Sequence, residues 1–425
     1  MLVTLSLAHP FTQRLRCAPH LRRNRTDRRP LRVIFGLVLK YQPDRPFPDL
    51  RGIPLRCAHN LHPLKKWSLR ESRGDSVTDK ARLAWELAAA GQGIPLALSD
   101  LEIWHAMGLG PGSTFCAIHD GQAKLAGGFA VQRYASSALP GHHILRLERL
   151  GEAIPEGAEP ATVAALLELA RSTPRVLRVV VELHDRDAVR RKRIATSLRA
   201  AGFYRKDPVR TYERTLAIDL QRDDKALLGS FSAPARQRIR LAERSPLTVI
   251  TIKDDALVPQ LEEIHRETYV RTGGQAPAQP WTRLVAAANE ASDRLRIFGV
   301  MLADAGTVRL VAYARALRHG TFVAYDAAGS TRLADRRIPL MYPVIWALIR
   351  WARDTGASWL DLGGVTGGAS ESSNDPLAGI AEFKRKFGGE DVVVGEEWHF
   401  DAAPLRQRFV QSASRVLTFL KRDRR

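Results

Sequence analysis

Residues 338–389, IPLMYPVIWALIRWARDTGASWLDLGGVTGGASESSNDPLAGIAEFKRKFGG, decide how the rest of the chain is read. Leu340, Val344, Ala347, Leu348 and Trp351 recur at helical spacing, which predicts a helix with one buried face, and Gly356 stands where that helix stops. Trp359 and Leu360 lead from the glycine into a short strand whose tip carries Asp361 and a pair of glycines. A polar, glycine-rich loop follows. It returns the chain to a basic, aromatic turn, Phe383-Lys384-Arg385-Lys386-Phe387. Helix, strand, loop and cationic turn in this order read as one wall of a substrate site.

Upstream of that stretch a basic helix (Pro234–Arg244) precedes the strand LTVITI, a helix over Asp255–Thr272 and another over Trp281–Ala291. The hairpin RIFGVMLADAGTVRLVAYARAL and the strand TFVAYDAAG complete the unit. Residues 79–222 run in a similar order. A hairpin turns at Asp120-Gly121, a strand covers His143–Leu150, and a helix covers Ala161–Ser172. The β-branched strand RVLRVVVEL, the helix Asp187–Ala201 and a Gly202-Phe203 turn close that half, with a final strand pair reaching Leu220. The aromatic–glycine turns LRAAGFYRKD and FKRKFGGED fall at matching places. The economical reading is an α/β (α+β) chain built from two copies of one unit. It divides into an extension (1–78), a first domain (79–222), a second domain (223–400) and a C-terminal helix or tail (401–425).

The 425 residues suffice for two domains, and a 45% apolar share supports sizeable cores. Three scattered cysteines, Cys17, Cys57 and Cys116, have no metal-type spacing and point to a reducing compartment without a disulfide framework. No apolar run approaches the ~20 residues of a membrane span. The opening LVTLSLA lacks the basic flank of a secretory signal. The formal charge is +20, and residues 1–78, with 16 Lys/Arg against 5 Asp/Glu, hold +11 of it. Eight prolines and arginine clusters there are the composition of a disordered extension, either an anionic-partner arm or a dispensable leader. The basic balance of the body suits RNA, a nucleotide diphosphate or an acidic lipid face, and is equally a solvated surface.

The second half resembles the FemABX-type peptidoglycan aminoacyltransferases. The resemblance rests on RQRIRLAERSPLTV, on HRETYVRTG, and above all on FVAYDAAGSTRLADRRIPLMYPVIWALIRWARDTGASWLDLGGV followed by GIAEFKRKFGG. It spans roughly residues 80–400 and is stronger after residue 230. It implies two tandem GNAT-like domains, and transfer of an amino acid from aminoacyl-tRNA to an amine on a peptidoglycan precursor's stem peptide. Neither metal nor cofactor is implied beyond the aminoacyl-tRNA co-substrate. The resemblance further implies a UDP-MurNAc-peptide or its lipid-linked form as acceptor, work in cell-wall biogenesis on the cytoplasmic side, peripheral contact with the membrane's inner face and a monomeric protein. Families tied to polysaccharide export share part of the pattern. The chain lacks the insertion that forms a coiled-coil arm in some members.

Amine attack on an ester needs positioning, worth on the order of 7 kcal/mol, loss of a proton from the amine, and a cation for the oxyanion, worth about 3 kcal/mol in a shielded pocket. By resemblance Phe383-Lys384 takes the family's Phe-Lys pair, with Lys384 as that cation and Phe383 shaping the pocket. On charge alone Lys384, Arg385 and Lys386 read as a solvated turn. Thr268 and Arg271, one helical turn apart, match the family's grip on the nucleotide–sugar diphosphate, and His265 or Thr272 can substitute if the register shifts. Tyr325 matches an aromatic strand along the acceptor groove, or is an ordinary sheet tyrosine. Asp361 orients an amine, or simply forms the strand-end turn. Arg236 and Arg240 share a helix face that meets RNA phosphates, or a solvated one.

Two rival readings stand beside this one. GNAT-like acyl-CoA transferases offer a glycine-rich turn to the pyrophosphate; here that position reads TRLADRRIPL, with Arg336 and Arg337 but no glycine pair. A non-catalytic RNA binder fits the basicity but gives no reason for the Phe-Lys turn.

Overall fold

A computed structural model of the chain describes residues 68–72 (backbone), 86, 88–98, 113–137, 139–272, 274–304, 306–333, 338–365, 378–404 and 406. The strands are β1 (Ser68–Ser72), β2 (Ser113–His119), β3 (Leu125–Ala135), β4 (His143–Leu150), β5 (Val176–His184), β6 (Tyr204–Arg205), β7 (Arg214–Asp219), β8 (Leu247–Thr251), β9 (Leu295–Asp304), β10 (Thr307–His319), β11 (Phe322–Ser330), β12 (Trp359–Gly364), β13 (Glu390–Val393) and β14 (Gly395–Asp401). The helices used below are α1 (Glu159–Ser172), α2 (Ala188–Ala200), α3 (Asp224–Ser230), α4 (Ala233–Glu243), α5 (Val258–Arg271), α6 (Trp281–Glu290), α7 (Met341–Asp354) and α8 (Ala378–Arg385).

Local chemistry sets these boundaries. The Asp187 carboxylate accepts from the Val189 and Arg190 amides at the start of α2, and the Ser232 hydroxyl accepts from the Ala235 amide at α4 with a proline in its first turn. Helix α7 buries Val344, Ile345, Leu348, Ile349, Trp351 and Ala352 on one face, and that stripe packs on the second sheet.

Two seven-stranded mixed sheets result, in the orders β1-β2-β3-β4-β5-β14-β6 and β13-β7-β12-β11-β10-β9-β8. Both repeat an antiparallel meander that ends in a parallel pair, β4 with β5 and β11 with β12. Each sheet has its own core, one around Leu147, Val181 and Trp398, the other around Val323, Leu348, Leu360 and Phe387.

The sheets divide the chain differently from a cut at residue 222. Strand β7, from the end of the first half, pairs with β12 and β13 in the second sheet. Strand β14, from the end of the second half, pairs with β5 and β6 in the first. The halves have exchanged their last strands, which no local sequence pattern announces, because an edge accepts any strand of suitable alternation. A second correction concerns residues 68–72. They belong to the stretch read as disordered, yet they form an antiparallel edge strand against β2. SLRES has no apolar alternation to reveal this, since pairing runs through the backbone. The rest of the extension, the loop 366–377, Arg336 and Arg337, and the tail beyond residue 406 lie outside the described residues.

Candidate active site

The parallel pair of the second sheet holds for three positions, Phe322 with Trp359, Val323 with Leu360 and Ala324 with Asp361. Beyond them β11 continues toward Ser330 beside β10 alone, and β12 turns through Gly363, whose φ of +76° suits glycine. Lys384 enters at this parting. Its ammonium donates to the Gly364 carbonyl at 2.8 Å and sits 5.9 Å from the centre of the Tyr325 ring.

The cationic turn of the sequence is in fact the last turn of α8, which carries Lys384 and Arg385. Rings anchor it: Phe387 meets Phe383, Tyr342 and Phe231 with centroids 5.2–5.6 Å apart. Lys386, one turn from Glu382, forms a solvated pair with it at 3.1 Å. Lys384 is only 2% exposed. Burial pushes its pKa down to about 8, against the partial support of the Asp361 charge.

A cavity of about 270 Å³ lies beside this lysine, lined among others by Lys384, Phe383, Tyr325, Thr268 and Arg271. Helix α5 supplies Thr268 and Arg271. The Ser330 amide donates to the Thr268 hydroxyl at 3.2 Å, and the Arg271 guanidinium donates to the Ser330 carbonyl at 2.9 Å. The helix approaches that closely because residue 329 is glycine. A Cβ there would lie 2.8 Å from the Thr268 hydroxyl and 2.9 Å from the Tyr313 ring.

A bulge shapes the opposite wall. Arg315 pairs with Ala327 and Ala316 with Tyr325, so Asp326 is the extra residue, and Tyr325 and Asp326 both line the cavity. Asp326 forms a buried ion pair with Arg315, which also reaches Gln279 at 3.2 Å. Burial and the Asp326 charge raise the Tyr325 phenol's pKa. At the floor, the Tyr313 hydroxyl lies 2.7 Å from His265 Nδ1, whose other nitrogen meets the Pro277 carbonyl at 3.2 Å. Donation to that carbonyl fixes the proton on Nε2, so Nδ1 accepts from Tyr313. Burial, with Arg315 nearby, lowers His265 to about 4 despite the Pro277 bond, and the ring is neutral.

The remaining sequence-predicted residues fall elsewhere. Asp361 is fully buried and is no part of the cavity wall. Its Oδ1 accepts from the Gly363 amide at 2.7 Å and from the Thr215 hydroxyl. Its Oδ2 accepts from Tyr212 at 2.6 Å and from His184 Nε2 at 3.0 Å. In this arrangement it cannot touch an amine, so its assignment as a substrate ligand is corrected. Burial alone would raise its pKa, but the His184 contact and the two hydroxyls hold it well below the usual carboxylate range. Arg236 bonds the Phe231 carbonyl at the end of α3, and Arg240 is exposed on the outer face of α4. The two do not converge on the cavity. Arg337 lies outside the described residues.

Tyr269, Tyr313, Asp326 and Met341 also line the cavity. The sequence offered no signal for them beyond sheet and helix periodicity, since the bulge that turns Asp326 inward depends on the pairing register. Among the described residues no helix is long and apolar enough to cross a membrane.

A family model described as an acetyltransferase (GNAT) domain matches residues 230–385. No curated protein matches. Among solved structures, FemX superposes with a TM-score of 0.64 at 14% identity, covering 80% of this chain and 100% of its own. A tandem GNAT protein from the clavulanic acid biosynthesis pathway aligns at 0.44 and 16% identity over 80% of this chain and 99% of its own. L-PGS from Bacillus licheniformis aligns at 0.43 and 12% identity over 72% and 88%. Two GNAT-like units, joined by exchanged strands and arranged as in FemX, are the fold of this protein.

Proposed function

We propose that this chain is an acyltransferase that moves an amino acid from aminoacyl-tRNA to an amine of a peptidoglycan precursor. The observation that carries the reading is Lys384, a buried ammonium at the parting of β11 and β12 on the wall of a cavity shared with Thr268, Arg271, Tyr325 and Phe383. A cation in a shielded pocket stabilises the oxyanion formed when an amine attacks an ester. At neutral pH a lysine titrating near 8 is mostly charged. Arg271, at the rim, suits a phosphate of the acceptor, and the aromatic wall suits its sugar and peptide. Arg240 and its neighbours on α4 offer charge to RNA. The likeness to FemX supports the donor and acceptor classes, and the reaction needs no cofactor. It is placed at the cytoplasmic face, where charged tRNA and precursor meet.

The family model, described as an acetyltransferase domain, favours acyl-CoA as the rival donor. One experiment separates the two. The protein is incubated with UDP-linked or lipid-linked muropeptide and either a panel of charged tRNAs or acetyl-CoA, and the muropeptide is weighed by mass spectrometry. An aminoacyl increment supports the reading. Acetylation with no aminoacyl addition from any charged tRNA sinks it.

A further inference from the structure

We propose that Asp361 is a positioning residue for Lys384, and that the first half of the molecule completes it through His184 and Tyr212. This rests on the role proposed for Lys384 above. The geometry is continuous. The Asp361 carboxylate receives the Gly363 amide at 2.7 Å, which fixes the turn that follows it, and the carbonyl of the next residue in that turn, Gly364, receives the Lys384 ammonium at 2.8 Å. The Thr215 hydroxyl donates to the same carboxylate oxygen and lies 3.0 Å from the Gly363 carbonyl, tying both ends of the turn to β7.

The other carboxylate oxygen faces the first half. His184 closes β5 of the first sheet and reaches across to Oδ2 at 3.0 Å, with its ring stacked on Phe322 of the second sheet, centroids 5.4 Å apart. Tyr212, in the link between the sheets, adds the fourth donor at 2.6 Å. A fully buried carboxylate with four donors is rigid and ionised. Its charge raises the lysine's proton affinity against the burial that lowers it. The groups that face Lys384 are Tyr325 from β11 and Asp361 from β12. Behind the carboxylate stand His184, Tyr212 and Arg149 of β4, whose guanidinium bonds Tyr212 and feels the Asp361 charge. On its own helix Glu382 is turned to Lys386. The cation of the second half therefore depends on donors from the first.

The test uses the full-length protein and two independent readouts. The first is the titration of Lys384 by NMR of ¹³Cε-lysine, with the resonance assigned by its loss in Lys384→Met. Asp361→Asn keeps the shape and removes the charge, and it is expected to lower the midpoint by about one pH unit or more. Correspondingly, the falling alkaline limb of kcat moves to lower pH while KM holds. An unmoved midpoint in folded Asp361→Asn overturns the proposal.

The second readout compares His184→Leu with His184→Gln. Both lose the ring stack, but only glutamine can still donate to Asp361. The leucine variant is expected to lose about tenfold in kcat and to speed hydrogen exchange in the peptide carrying Gly363, and the glutamine variant to recover most of both. Equal behaviour of the two variants overturns the proposal even if Asp361→Asn fails to fold. The NMR and exchange arms need no turnover. If no donor is ever transferred, they still decide the positioning role while the functional reading fails separately.

Discussion

In the first sheet β4 and β5 run together from the His143–Val176 pair to the Leu150–Leu183 pair, with register shifts after His143 and after Leu147, whereas in the second sheet β11 and β12 part after Ala324 and Asp361. The paired seam is filled by its own apolar side chains, Leu145, Leu147, Val179 and Val181. The parted seam leaves backbone carbonyls and a wedge of space, and Lys384 and the Tyr325 ring occupy its mouth. The helix ends nearby differ in the same sense. Arg199, in the last turn of α2, is exposed and lies over the Trp398 ring at 5.4 Å, while Lys384, in the last turn of α8, is buried beside a cavity. One fold unit, used twice, gives a closed seam in one half and a parted seam beside a cavity in the other, according to where its parallel strands stop pairing.

The largest test of this contrast concerns the ring cluster that holds α8 in place. Phe387→Ala is expected to cost about 3–5 kcal/mol of stability, read by denaturant unfolding. Lys384→Ala is expected to lower kcat by about 10²–10³, with Tm little changed or raised because a buried ammonium is removed. Arg199→Ala, its counterpart, leaves kcat unaltered. A kcat within a few-fold of wild type for Lys384→Ala would break the chemical side of the comparison.

A smaller effect is expected at Gly329. A methyl group there meets Thr268 and Tyr313, so Gly329→Ala lifts α5, costs about 1–3 kcal/mol and raises the acceptor KM more than it lowers kcat.

The subtlest prediction is a pair of opposite pH effects. Lys384 titrates at about 8 in the fold against an ordinary 10.5. Transfer by a charged lysine is therefore lost as pH rises through about 8. Between about 8 and 10.5 the unfolded chain binds the extra proton, so this group's contribution to stability increases with pH over that window. Rate profiles and urea midpoints from pH 7 to 10 check both signs, and neither trend should survive in Lys384→Met.

Much of this was legible in the residues. The stripe on α7, the strand ending at Asp361 and the meander of β9 to β11 all follow from periodicity, because one buried face imposes it. Phe383, Lys384, Thr268, Arg271 and Tyr325 follow from a resemblance, and they line one cavity. What stayed hidden depends on partners far away in sequence. Asp361 looked like a free turn carboxylate because nothing near it in the chain announces His184, Tyr212 and Thr215. Asp326 looked like a strand residue because its inward turn is set by a bulge against β10. The exchange of β7 and β14 was invisible for the same reason.

That exchange bears on how the protein is made. Strand β14 lies against the valine-rich β5 along seven paired residues, Gly395–Asp401, and it is made long after β5. Until then β5, complete some two hundred residues earlier, presents an open apolar edge of the kind that recruits other chains. The first sheet cannot close before residues 395–401 have been made. A nascent chain stalled short of residue 395 leaves that edge uncovered, and cutting the two halves apart leaves each sheet without the strand that the other half supplies.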